Sequence, residues 1–135
     1  MAVIVADASV IIATLDADDA HHRGARTALN EAWAAREPVV VPAVAYAESM
    51  VRPIAVGGEP LRRAEAFFAT QLIEPLSGRA ARSAALLRAR HPSLRMPDAL
   101  ILGSALDLGA DGVMTADERW ADLDVGLRVR VIRPD

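Results

Sequence analysis

Four acidic residues stand where separate segments of the chain can offer them to one ligand. Asp7 ends the apolar run Ala2-Val3-Ile4-Val5-Ala6, and Glu48 is embedded in Val44-Ala45-Tyr46-Ala47-Glu48-Ser49. Asp98 follows Pro97, and Asp117 closes Met114-Thr115-Ala116-Asp117. Apolar surroundings make poor sites for ordinary surface ion pairs, because an unpaired buried charge is costly. Three or four carboxylates from separate elements suit Mg2+ or Mn2+, hard cations that take oxygen ligands and leave positions for water and phosphate. Two such ions about 3.5 to 4 Å apart would activate a water and stabilise a leaving oxygen, as a metal-dependent phosphodiesterase requires.

Each acid also has a simpler role open to it. Asp7 can cap a helix beginning at Ala8. Glu48 shares a helical face with Val44, Ala45 and Val51, so it points inward, where either a metal or Arg52 would offset its charge. Asp98 opens a helix whose face includes Ile101, Leu102 and Ala105, and free amides there favour a carboxylate as a cap. Thr115 and Glu118 fit the capping box Thr-x-x-Glu, which leaves Asp117 free to point elsewhere. His21 and His22 follow Asp18-Asp19 but point in different directions at a helix start, with no third ligand spaced to join them. His91, before Pro92, reads as a helix end, and Trp33 and Trp120 read as core or partner-interface residues.

The elements that must position these acids follow from the apolar pattern. Residues 2–6, 39–41, 71–74, 112–114 and 127–132 read as strands, several as unbroken apolar runs of the kind a parallel sheet covered on both faces requires. Helical patterns fall between them at 9–15, 21–35, 42–54, 60–69, 78–90 and 97–108. Pro42 and Pro97 suit first helical turns, Ser77 suits a cap, and Gly57-Gly58 and Gly109 suit terminators. Strands alternating with helices predict an α/β fold, a three-layer α/β/α sandwich around a central parallel sheet, as a single domain over 1–135. In such sheets sites form beyond the carboxyl ends of strands, where Asp7 and Asp117 fall.

Composition narrows the chemistry further. The 135 residues are 53% hydrophobic and contain no cysteine, which excludes disulfides, thiolate metal sites and cysteine nucleophiles. All 15 basic residues are arginine, so lysine-dependent phosphate chemistry is excluded, including Walker-type ATPases. A phosphoaspartate protein built on Asp7 is disfavoured for the same reason. The N-terminal apolar run is too short for a signal segment or membrane span, which predicts a cytoplasmic protein.

Net charge is −3 but unevenly spread. Residues 1–22 carry Asp7, Asp16, Asp18 and Asp19 without Lys or Arg, whereas residues 75–97 carry Arg79, Arg82, Arg88, Arg90 and Arg95 without an acid. An acidic pocket beside a basic shoulder would suit an RNA backbone approaching metal ions; a solvated arginine-laced helix is the other reading. Apolar residues around Val44, Tyr46, Val51, Ile54 and Val56, with Phe67-Phe68 nearby, serve either a thick core or a groove for a partner helix.

With the acids in place, the chain resembles PIN-domain ribonucleases, most closely VapC-type toxins of bacterial toxin–antitoxin pairs. Val5-Ala6-Asp7-Ala8-Ser9 resembles the opening motif, Glu48 the acid of the third helix, Pro97-Asp98-Ala99 the central motif and Thr115-Ala116-Asp117 the late one. The resemblance implies a Mg2+- or Mn2+-dependent endoribonuclease with Asp7, Glu48, Asp98 and Asp117 as metal-site residues. Thr115 and Ser9 would support them. It also implies a homodimer and a small cognate antitoxin protein whose terminal segment packs near the active site. The alternative is a PIN-fold protein that binds RNA or serves structurally without turnover.

Overall fold

Short β-branched runs between helices form the centre of the fold, as the computed structural model shows for residues 2–135. In chain order the elements are β1 (Ile4–Ala6), α1 (Ala8–Leu15), α2 (His22–Ala34), β2 (Val39–Pro42), α3 (Ala43–Val56) and α4 (Gly58–Phe68). There follow β3 (Leu72–Glu74), α5 (Gly78–Arg90), α6 (Met96–Asp107), β4 (Gly112–Thr115), a short 3-10 helix (Glu118–Asp122) and β5 (Arg128–Val131). The five strands are all parallel, in the order β3-β2-β1-β4-β5. Helices cover both faces, giving the three-layer α/β/α sandwich.

Burial explains the sheet order. Every residue of β2 and β4 is buried, matching their apolar runs, and these strands flank β1 at the centre. β5 alternates exposed and half-buried residues, with Arg128 and Arg130 facing solvent, as an edge strand permits. Its sequence therefore departs from the unbroken pattern of the inner strands. The other edge, β3, leaves Leu72 60% exposed, which makes it the weakest of the strand signals.

The chain leaves β1 for β2 on one side and later returns to β4 on the other. The strand order thus reverses at β1, and a crevice opens beyond the carboxyl ends of β1 and β4. α6 reaches that crevice from a tight pairing with α5. A Cβ on Gly103 would lie 2.5 Å from the Ala80 carbonyl oxygen and 2.9 Å from the Ala84 nitrogen, so only glycine permits this approach. Ser77 caps α5, its hydroxyl accepting the Ala80 N–H at 3.0 Å.

Two boundaries differ from the sequence expectation. α3 continues through Pro53 to Val56 and ends at Gly57, whose φ of 72° ordinary side chains rarely adopt. The helix at α4 begins at once, at Gly58. Among the described residues no helix is long and apolar enough to cross a membrane.

Candidate metal and nucleic-acid site

Asp7 follows β1 directly, and its side chain is the hub of the crevice. Oδ1 accepts the Ala8 N–H at 2.8 Å, capping α1. Oδ2 accepts the hydroxyls of Ser9 and Thr115, both at 2.8 Å. Those hydroxyls accept in their turn: Ser9 Oγ from the Ala116 N–H at 2.9 Å, and Thr115 Oγ1 from the Asp117 N–H at 3.0 Å. Two hydroxyl relays therefore tie the segment after β4, which carries Asp117, to the carboxylate after β1. The capping and hub roles of Asp7 coexist.

Thr115 does not head a capping box. Its hydroxyl is spent on Asp7 and Asp117 within the crevice, and Asp117 itself caps the 3-10 helix, Oδ1 accepting the Arg119 N–H at 3.0 Å. Glu118 turns away to pair with Arg133 at 3.3 Å. Asp117 is thus held rather than free, and Arg119 clamps it further, Nε to Oδ1 at 3.0 Å and Nη2 to Oδ2 at 2.7 Å.

Asp98 sits in the first turn of α6, its side chain 11% exposed, without capping that helix. Its cationic neighbour is Arg95, with Nε 3.5 Å from Oδ2. Glu48 lies half-buried on the inner side of α3. Arg52 forms no ion pair with it among the described residues.

The electrostatics separate these acids into two kinds. Burial pushes the Asp7 carboxyl above the ordinary carboxylate range, opposed by the Ser9 and Thr115 hydroxyls, with Asp98 adding to the rise. Glu48 is raised by burial and then by the charges of Asp7 and Asp98. Asp98 is raised by burial, against the lowering field of Arg95, and Asp117 adds to the rise. Asp117 alone is lowered, chiefly by its hydrogen bond from Arg119. Three carboxylates therefore stay raised despite Arg95, whose charge lowers both Asp98 and Glu48, while the fourth is held low by Arg119.

That donor set fits a hard divalent ion. All the side chains offer oxygen, and Asp7 Oδ1 accepts a single hydrogen bond, which leaves it a lone pair. Among the described residues, no three His, Asp or Glu side chains already converge at ion-holding positions. Arg95 and Arg119 instead engage Asp98 and Asp117 from the rim. Sequence reading missed Arg119, and its place two residues after Asp117 in a capped turn is the only signal it left.

The five arginines grouped by sequence do not form one surface. Arg79 pairs with Asp107 at the far end of α6, roughly 14 Å along the helix axis from Asp98. Arg82 is exposed on the same half of α5. Arg88 points into the α5–α6 connection, where Nη1 donates to the carbonyls of Pro92 and Leu94, and its Nε is buried without an acceptor. Exposed Arg95, just before α6, is the one that reaches the acids, and Arg90 is exposed at the last residue of α5.

The apolar residues around α3 also divide. Phe68 is buried and takes the edge of Tyr46 at 4.8 Å between ring centroids, and Val44 and Phe67 pack against the core. Val51, Ile54 and Val56 remain 60% or more exposed. Val56, Pro53 and Pro60 join Ile12 and Leu15 of α1 in a groove of about 270 Å³ that has Glu48 in its wall. Trp120 is fully in the core, and the His22 ring lies 2.7 Å from the Ala13 carbonyl.

Comparison with known proteins adds independent findings. The family model described as the PIN domain matches residues 4–126. No curated protein matches the sequence. Among solved structures, a toxin–antitoxin complex from Klebsiella pneumoniae superposes with a TM-score of 0.77 at 23% identity, covering 98% of this chain and 99% of that one. The VapBC-5 toxin–antitoxin member from Mycobacterium tuberculosis gives 0.66 at 28% identity, covering 98% and 99%. The sarcin–ricin-loop-cleaving toxin VapC20 of the same organism gives 0.66 at 21% identity, covering 91% and 92%.

Proposed function

Since the chain belongs to the PIN-domain family, we propose that it is a Mg2+- or Mn2+-dependent endoribonuclease and the toxin of a toxin–antitoxin pair. The observation that carries this reading is the gathering of Asp7, Glu48 and Asp98, buried or half-buried and close enough that the charge of Asp98 raises the carboxyls of both others. These three would hold the cation, with Asp117 completing the acidic rim. When bound, the ion lowers the pKa of water and offsets charge on the phosphate.

The chain's own residues account for the rest. The Ser9 and Thr115 relays fix Asp7 and the Asp117 turn together, so the crevice keeps its shape before substrate arrives. Glu48 is half-exposed, which leaves its carboxylate open to an attacking water as well as to the ion. With water rather than the substrate's 2'-hydroxyl as nucleophile, products carry 5'-phosphate and 3'-hydroxyl ends.

The groove between α1, α3 and α4 supplies the surface for a small antitoxin, whose amphipathic segment would bury Ile12, Val56 and Pro53 beside Glu48. Similar solved structures include toxin–antitoxin complexes, which supports the pairing with an antitoxin. Cleavage of RNA by the purified chain should stop with EDTA, return with Mg2+ or Mn2+, and be suppressed by co-expression with the adjacent small open reading frame. A persistent 2',3'-cyclic phosphate product would sink the mechanism. Tight low-salt RNA binding without cleavage of a broad structured panel would establish the binding-protein alternative.

The redistribution of arginines gives a sharper expectation for RNA. Arg95→Gln should weaken binding and reduce the slope of log affinity against log salt by about 0.7 to 0.9 per lost phosphate contact, whereas Arg79→Gln should leave the slope unchanged. Equal effects from both variants would return Arg95 to a solvated surface role.

A further inference from the structure

The proposed cation site has one carboxylate whose charge is already answered. Resting on that reading, we propose that Arg119 stands in for a second metal ion: it is the resident cation of Asp117, and the site takes up a single divalent ion. The geometry is that of a fork on a fork. Arg119 reaches both oxygens of Asp117, at 3.0 and 2.7 Å, and its backbone N–H adds a third contact at 3.0 Å. Both partners lie within one capped turn, so the clamp assembles locally, and the Thr115 hydroxyl holds the Asp117 backbone in place. Bidentate geometry of this kind is what lets an exposed ion pair hold where a single contact would not.

The other acids differ in kind. Arg95 approaches a single oxygen of Asp98, at 3.5 Å, and contributes no hydrogen bond of ordinary length. Asp7 is surrounded by hydroxyls and an amide, and Glu48 has no ion-pair partner among the described residues. One divalent ion with the guanidiniums of Arg95 and Arg119 balances the four carboxylates. A second ion would have to displace the Arg119 clamp and would leave the crevice positive before any phosphate entered. Arg119 is 75% exposed, so its remaining N–H groups are open to a phosphate oxygen, the role a second ion would otherwise fill.

Counting bound Mn2+ by the loss of its free EPR signal tests this on the full-length chain, with melting curves to verify folding. The wild-type protein should bind one ion and Arg119→Gln should bind two. Asp117→Asn, which keeps its shape, should change affinity for the first ion by less than about threefold, whereas Asp98→Asn should abolish it. Two ions on the wild type, one on Arg119→Gln, or loss of the first ion in Asp117→Asn would overturn the proposal while leaving a metal-dependent nuclease intact. No ion on the wild type would overturn both.

Discussion

Asp98→Asn is expected to lower the single-turnover cleavage rate at saturating Mg2+ by about 10² or more, while the metal-free protein melts no lower than wild type. The loss of rate follows from removing one cation-directed charge from a site where electrostatic stabilisation is a large term. The melting behaviour follows from the acid's surroundings. Arg95 and the N-terminal end of α6 favour the charged form, but burial and Asp117 outweigh them, since the carboxyl is raised overall. A neutral amide of the same shape is therefore accepted without a stability cost. The ion pair lost with Arg95 is a single 3.5 Å approach from a largely exposed guanidinium and is worth little. An unchanged rate would confine Asp98 to starting its helix.

What the sequence made legible was whatever local pattern determines. Apolar runs located the strands, Pro and Gly bounded the helices, and strand ends placed Asp7 and Asp117 at the carboxyl ends of the strands. Long-range pairing is another matter, because nothing local encodes it. α2 has no side-chain cap of its own at His21; its N–H groups at Arg23 and Gly24 are met by the Asp135 carboxylate, 112 and 111 residues away. Arg88 looked like its neighbours until the turn of the α5–α6 connection gave it two carbonyls. The Thr-x-x-Glu pattern at Thr115 misled because Asp7, 108 residues earlier, competes for the hydroxyl. Val51, Ile54 and Val56 could not be told from Val44 and Phe68 by hydrophobicity, since only packing decides which side of α3 is covered.

Stability should depend on pH and metal in opposite senses, and the sign follows from the four acids. Asp7, Glu48 and Asp98 are raised in the folded chain, so between the ordinary carboxylate range and their folded values the folded state holds protons that the unfolded chain has released. Stability therefore falls as pH rises through that window, and the metal-free protein should melt higher when acidified from neutral pH toward it. Asp117 is lowered, so its contribution is present above the ordinary range and is lost only as pH falls below it, through its folded value. The two windows adjoin without cancelling. Mg2+ competes with the protons on the three raised acids, so at neutral pH a hundredfold excess over Kd should stabilise by about 2.7 kcal/mol, roughly 10 °C in melting temperature for a chain of this size. That gain should shrink on acidification. Asp7→Asn supplies the control, because the amide removes the most deeply buried of the three charges and should flatten both responses. Melting curves across pH, with and without Mg2+, check the expectation; a Mg2+ gain that grows as pH falls would show that the ion is held elsewhere than by these carboxylates.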